Sequence, residues 1–275
     1  MKKLSLLFLI AVISICSAPR QITWVALGDS ITYINDDLKE TNNRLTKGYL
    51  TQVVEKLPGI HYINKGYNGW TGGRIADQIN KLDLQKADVY TVFLGTNDWW
   101  GGHVIGSLSD YKNNTGTATV YGSFRIIIDK LKSLNPAAKI VLMTPMQRSD
   151  FVYFKNFKNN AFGSYQPKNN QSLEEVANAI NAIGKLENIN VADLYHNRKL
   201  SLKHLVKFKR LKDPVTGDYK NYRYPAYIGV PFNAQTDEYP YPAEAIDLTY
   251  DGLHPGDKGC GIIAKQLIPF FKKIR

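Results

Sequence analysis

A serine that attacks a carbonyl needs a positioned base to take its proton, a carboxylate to orient that base, and donors for the oxyanion it creates. Four short segments of the chain carry those residue types. Gly28-Asp29-Ser30-Ile31-Thr32 puts Ser30 straight after an apolar run, where the following backbone amides can point at an anion. Asn64-Lys65-Gly66-Tyr67-Asn68-Gly69-Trp70-Thr71-Gly72-Gly73 is a glycine-rich turn through which backbone can approach a ligand closely. Gly95-Thr96-Asn97-Asp98 offers Asn97 as a side-chain amide donor. Asp251-Gly252-Leu253-His254-Pro255 sets a carboxylate three residues before an imidazole, so a single turn can aim both at one place. Each segment alone also reads as ordinary structure, a turn after a strand or a capped helix entry. The motif G-x-S-x-G does not surround Ser30, so the nucleophile elbow of the α/β-hydrolases is absent there.

The elements that must bring these segments together are legible from hydrophobic periodicity. Short apolar runs at 22–27, 60–64, 88–94, 139–144 and 189–194 read as buried strands. Helical patterns fall at 49–57, 73–81, 119–134, 172–186 and 257–272, the fourth opened by a capping box of Ser172 with Glu175. Strands alternating with helices predict an α/β fold, a three-layer α/β/α sandwich around a mostly parallel five-stranded sheet. Ligands of such sheets bind beyond the carboxyl ends of the strands, and there the first three segments lie. Three stretches at about 99–116, 146–171 and 195–250 exceed ordinary loop length and leave from the same edge. They are rich in aromatics: Phe151, Tyr153, Phe154, Phe157, Phe162 and Tyr165 in the second, Tyr219, Tyr222, Tyr224, Tyr227, Phe232, Tyr239 and Tyr241 in the third. Such rings either pack the loops or hold substrate.

Taken together, GDSIT (28–32), NKGYNGWT (64–71), GTND (95–98) and DGLHP (251–255) resemble the motifs of the SGNH hydrolases, the GDSL-like lipase/acylhydrolase family. The similarity runs from about residue 24 to 271, interrupted by the long loops. It implies a flavodoxin-like sheet and a serine esterase that forms an acyl-enzyme. On this resemblance Ser30 is the nucleophile, His254 the general base and acid, and Asp251 the residue that orients it. Ser30 N–H, Gly69 N–H and the Asn97 amide form the oxyanion hole; Gly69 is matched in preference to Gly66 by its place before Trp70-Thr71. Asp98, Trp99 and Trp100, directly after Asn97, are candidates for substrate contact. The chemistry requires neither a metal nor an organic cofactor. His61, His103, His196 and His204 lack such a constellation and read as structural or surface residues. The aromatic loops and the lack of a long apolar lid helix favour a small acyl group on a carbohydrate. A lipid acylhydrolase, an acyltransferase with the same triad and a non-catalytic glycan-binding protein are the alternatives.

Length and composition set the frame. The chain of 275 residues, 44% hydrophobic and 21% charged, suits one globular domain over 19–275. Lys2 and Lys3 precede an apolar run over 4–15 and the small residues Ser17 and Ala18, the order of a secretory signal peptide. Residues 1–18 are therefore expected to direct export, to the periplasm or beyond. Ile15 disfavours lipidation at Cys16, and Pro19 would be an unusual mature N-terminus. Export leaves Cys260 alone and without a disulfide partner, in a helical pattern where burial is expected. The net charge of +11 falls to +9 without Lys2 and Lys3. Between His196 and Pro225 stand nine cations, Arg198, Lys199, Lys203, Lys207, Lys209, Arg210, Lys212, Lys220 and Arg223, against Asp213 and Asp218. Segment 196–225 is either a solvated surface or a contact for an acidic glycan or anionic surface; export argues against nucleic acid.

Overall fold

The first apolar run becomes Ile22–Gly28 (β1), followed by a single helical turn, Ser30–Tyr33 (α1). Tyr49–Lys56 (α2), Ile60–Gly66 (β2), Gly72–Gln78 (α3) and Val89–Phe93 (β3) come next. Thr96–Trp100 (α4), Leu108–Asn113 (α5), Val120–Leu134 (α6) and Lys139–Met143 (β4) complete the first half. Then follow Phe151–Tyr153 (β5), Asn156–Ala161 (β6), Leu173–Glu187 (α7) and Asn190–Ala192 (β7). The chain ends with Leu202–Leu205 (α8), Lys209–Lys212 (β8), Tyr219–Tyr222 (β9) and Asp257–Lys272 (α9). The computed structural model describes residues 21–274, so the expected signal peptide at 1–18 lies outside the described residues.

The main sheet is all parallel in the order β2-β1-β3-β4-β7, the flavodoxin-like arrangement expected from the sequence. Alternation along each strand divides the core. Val25, Leu27, Tyr90, Val92, Ile140 and Leu142 face one cluster with residues of α3, α6 and α7. Trp24, Ala26, Val89, Phe93, Val141 and Met143 face a second cluster with residues of α2 and α9, where Cys260 is buried and unpaired. The one polar atom of Trp24 is satisfied inside: Nε1 donates to Thr91 Oγ1 at 2.9 Å. The predicted capping box forms, with Glu175 N–H on Ser172 Oγ and Ser172 N–H on Glu175. The fifth strand is shorter than its apolar run, because it is an edge strand paired with only three residues of β4.

The three long stretches are not structureless. The first begins at the end of α4 and holds α5, the second holds the antiparallel hairpin β5–β6, and the third α8 and the hairpin β8–β9. A third, smaller core of Val152, Val206, Leu211, Tyr227 and Tyr241 ties the second stretch to the third. Four of the nine cations of the basic segment are paired: Lys209 with Asp150, Arg210 with Glu238, Lys212 with Asp237 and Lys220 with Asp213. Among the described residues no helix is long and apolar enough to cross a membrane.

One surface histidine holds the turn after β7. His196 Nδ1 lies 2.8 Å from Asp193 Oδ2, and Nε2 lies 3.4 Å from Glu174 Oε1 on α7. Burial opposes charging the ring, but the bond and attraction of Asp193, reinforced by Glu174, outweigh it and raise the pKa. A folded pKa above the unfolded one adds stability that is complete below the unfolded value and lost as pH rises through the folded value. The melting-temperature gap between wild type and His196→Ala is therefore widest near about pH 5 and closes by about pH 9. Scanning calorimetry across that range checks it, and a gap that does not vary with pH counts against this ion pair.

Candidate active site

Parallel register brings the strand ends into one row. Gly28 pairs with both Gly66 and Phe93, and Phe93 pairs with Met143. Ser30, Gly69 and Asn97 follow these ends by two, three and four residues. The chain turns sharply after β1 because Asp29 caps α1, its Oδ1 accepting from Ile31 N–H at 3.0 Å. Ser30 is thereby the first residue of that helical turn. Burial pushes the Asp29 carboxyl up to about 7, against the Ile31 hydrogen bond and the nearby His254.

His254 arrives from the far end of the sequence. Its Nε2 is 2.9 Å from Ser30 Oγ, and its Nδ1 is 2.7 Å from Asp251 Oδ2. The other Asp251 oxygen accepts from Leu253 N–H at 3.0 Å and His254 N–H at 2.7 Å. A carboxylate so placed requires the proton on Nδ1, which leaves Nε2 to accept from the Ser30 hydroxyl. Gly252 makes the turn: its φ is +88°, and a Cβ there would sit 2.1 Å from Asp150 O. Tyr250 lies parallel to the imidazole at 5.9 Å between centroids, and Phe151 meets it edge-on at 5.4 Å. All three residues are mostly buried, Asp251 almost completely.

Asn97 Nδ2 donates one hydrogen to Trp70 O at 2.9 Å. That bond fixes the amide plane and leaves its second hydrogen free for a ligand. Gly69, next to Trp70, holds φ at +72° in open space. Among the described residues neither Ser30 N–H nor Gly69 N–H has an acceptor. The expected oxyanion donors thus stand around one cavity of about 280 Å³. Its other walls are Ile34, Glu40, Asn68, Trp100, Arg148, Phe151, Tyr153, Asn159, Tyr250 and Leu253. The hairpin β5–β6 roofs it, anchored by Tyr153 OH on Glu40 Oε1 at 2.7 Å and Lys155 Nζ on Lys39 O at 2.5 Å.

The three expected substrate contacts separate. Trp100 lines the cavity. Asp98 does not: it is buried, and both its oxygens accept from Gly72 N–H at 2.9 Å, tying α4 to the start of α3. Trp99 does not either; it packs in the core and donates Nε1 to Gln171 O at 3.0 Å. Successive residues of a helix point about 100° apart, so one turn of α4 cannot aim all three at the cavity. The loop aromatics divide likewise: Phe151 and Tyr153 line the cavity, while Tyr227 and Tyr241 pack the third core.

Arg148, Glu40, Asn68 and Asn159 were not singled out by sequence. The strand-end rule points toward Arg148, which follows β4 by five residues. Burial pulls its guanidinium down to about 10, against the attraction of Asp251. Among the described residues no group of three or more His, Cys, Asp or Glu side chains is placed to hold a metal ion.

Comparison with known proteins identifies the family. The model of the GDSL-like Lipase/Acylhydrolase family matches residues 26–262. A solved structure of a possible lipase from Chitinophaga pinensis is 61% identical, with a TM-score of 0.91, over 92% of this chain and 98% of that one. A lipase/acylhydrolase from Enterococcus faecalis shares the fold at 18% identity and TM-score 0.52, over 92% and 96% of the two chains. So does a catalytic mutant of an acetylxylan esterase from Geobacillus stearothermophilus, at 18% identity and TM-score 0.51, over 94% and 95%. No curated protein matches the chain. Sheet order, motif placement and a family match over most of the sequence lead to one conclusion: the chain belongs to the GDSL-like lipase/acylhydrolase family.

Proposed function

We propose that this protein is an exported serine esterase that removes acetyl or similarly small acyl groups from a carbohydrate. The observation that carries the esterase reading is the line from Ser30 Oγ through His254 to Asp251, at 2.9 and 2.7 Å. Ser30 Oγ adds to the ester carbonyl while its proton passes to His254 Nε2. The oxyanion receives hydrogen bonds from Ser30 N–H, Gly69 N–H and the free Asn97 amide hydrogen; each such donor is worth about 10²–10³ in rate. Collapse expels the alcohol, which takes the proton from His254. Water then repeats the sequence on the acyl-enzyme, releasing the acid and restoring Ser30. Asp251 holds the imidazole in the reactive tautomer and stabilises its cation.

The small-acyl, carbohydrate part rests on the cavity. It has a volume of about 280 Å³, is roofed by β5–β6, and mixes Asn68, Asn159, Glu40 and Arg148 with Trp100 and Phe151. A long acyl chain gains about 0.8 kcal/mol per buried methylene only against apolar walls, and here much of the wall is polar. Acetylxylan ester cleavage by a protein of this fold supports the reading by analogy. Export rests on Lys2, Lys3 and the apolar run at 4–15. Hydrolysis rates on acetylated oligosaccharides and on a 4-nitrophenyl ester series from acetate to palmitate test the acyl preference. We expect the acetate and acetylated sugars to be cleaved at least about tenfold faster than octanoate or longer esters. A rate rising with chain length would assign the protein to lipid esters instead.

A further inference from the structure

Arg148 and Glu40 are charged groups of the cavity wall that the reaction does not use, and among the described residues Arg148 is the one whose side chain is without a hydrogen-bond partner. It is 2% exposed, yet Nε and Nη2 are buried with no hydrogen-bond partner, and Nη1 has none among the described residues. An unpaired guanidinium in such a place costs several kcal/mol in lost hydration. Contacts with the faces of Trp99, Trp100 and Phe151, at 5.6, 5.3 and 5.8 Å from their centroids, recover only part of that. The neighbouring carboxylates are already committed. Asp251 serves His254 and two backbone amides, and Asp150 accepts from Lys209 Nζ at 2.5 Å, from Gly163 N–H and from Tyr165 OH. The arginine does not reach this place by accident of a loose loop. Its backbone is bonded both ways to Ser164, with N–H on Oγ at 3.1 Å and C=O accepting from N–H at 2.8 Å.

A buried, positioned cation with no acceptor, on the wall of a cavity that holds a nucleophile, is a receptor for a ligand anion. We propose that Arg148 receives a carboxylate carried by the substrate, so that the ester cleaved at Ser30 belongs to an acidic molecule. The proposal rests on the esterase reading above and narrows its substrate class. The planar guanidinium fork matches a carboxylate, and its charge is single. Glu40, which also lines the cavity and is bonded to Tyr153 and 3.9 Å from Lys155, opposes a doubly charged group such as a phosphate monoester more than a singly charged carboxylate. The carboxylate sits either on the sugar, as in an acylated uronic acid, or on the acyl group, as in a hemisuccinate. Both present the same chemistry to Arg148.

Two substrate pairs, each differing only in charge, separate the sources. One is an O-acetylated methyl uronoside against its methyl ester; the other is mono-4-nitrophenyl succinate against its methyl ester. In one pair the free acid should have the higher kcat/KM by about ten- to a hundredfold, mainly through KM. Arg148→Met should bring that ratio close to one, and Arg148→Lys should leave it in between. Equal kcat/KM within both pairs for the wild type overturns the proposal, and needs no variant to fold. A preference that survives Arg148→Met also overturns it. So does an equal loss on both members of each pair with a displaced pH profile, which assigns Arg148 to holding Asp251. Titration calorimetry of the deacetylated methyl uronoside and of succinate with Ser30→Ala, with and without Arg148→Met, reads the site without turnover. Arg148-dependent binding there supports the proposal even where the esterase reading fails, and no binding of either ligand overturns it.

Discussion

Replacing Ser30 with alanine will lower ester hydrolysis by about 10⁴-fold or more, in kcat, without unfolding the protein. The substitution removes one atom. That atom's hydrogen bond is to His254 Nε2, so the cap that shapes the turn, Asp29 on Ile31 N–H, stays intact. The proposed oxyanion donors also stay, because Ser30 would contribute a backbone N–H that alanine keeps. Residual activity then reports what the hole and the cavity achieve without a nucleophile. Members of such a unit are strongly non-additive. The double variant Ser30→Ala/His254→Ala should accordingly be no slower than Ser30→Ala alone. Steady-state rates on 4-nitrophenyl acetate, paired with thermal melts, measure both. A single variant that keeps more than about a hundredth of wild-type activity with an unchanged melt means that Ser30 is not the nucleophile.

The residues of that unit were legible because continuous apolar strands fix where backbone ends. Trp24 to Leu27 and Val89 to Leu94 read as buried strands, so Ser30 and Asn97 were expected to emerge at one edge. Asp251 and His254 were legible through their spacing, which one turn satisfies. Side-chain direction on short elements was not. The five-residue helix α4 carries no periodic signal, yet its twist sends Trp99 into the core and Trp100 to the cavity. The hairpin β5–β6 was hidden for a related reason. Asn156–Ala161 is polar and largely exposed, and its pairing is set by packing of the roof rather than by strand propensity. Arg148 shows the limit most clearly. An isolated arginine in a loop reads as solvated; only the three rings around it, brought from α4 and β5, make it buried. Local patterns therefore located the hydrogen-bonded Ser30, His254 and Asp251, while tertiary contacts decided what surrounds them.

Two aspartates flank this chemistry, and their environments predict opposite outcomes for the same substitution. Asp251→Asn will lower kcat by about 10⁴-fold. Asp251 Oδ1 accepts two backbone N–H groups and Oδ2 accepts the His254 Nδ1 proton. Asparagine has one oxygen to give. Kept on the backbone side, it turns an NH₂ toward Nδ1, which forces the imidazole proton onto Nε2 and away from its role as base. Flipped, it sets an NH₂ against two backbone donors. Either arrangement leaves the imidazolium formed during turnover without its counter-charge. Asp29→Asn is the contrast. The Asp29 carboxyl is held toward its neutral form by burial, and its hydrogen bond from Ile31 N–H uses an oxygen that asparagine retains. Its loss of activity should stay within about tenfold. Comparing kcat for the two variants, with thermal melts as the control for folding, separates a carboxylate needed as a charge from one needed as an acceptor. Equal effects from both would mean that Asp251 acts only by shaping its turn.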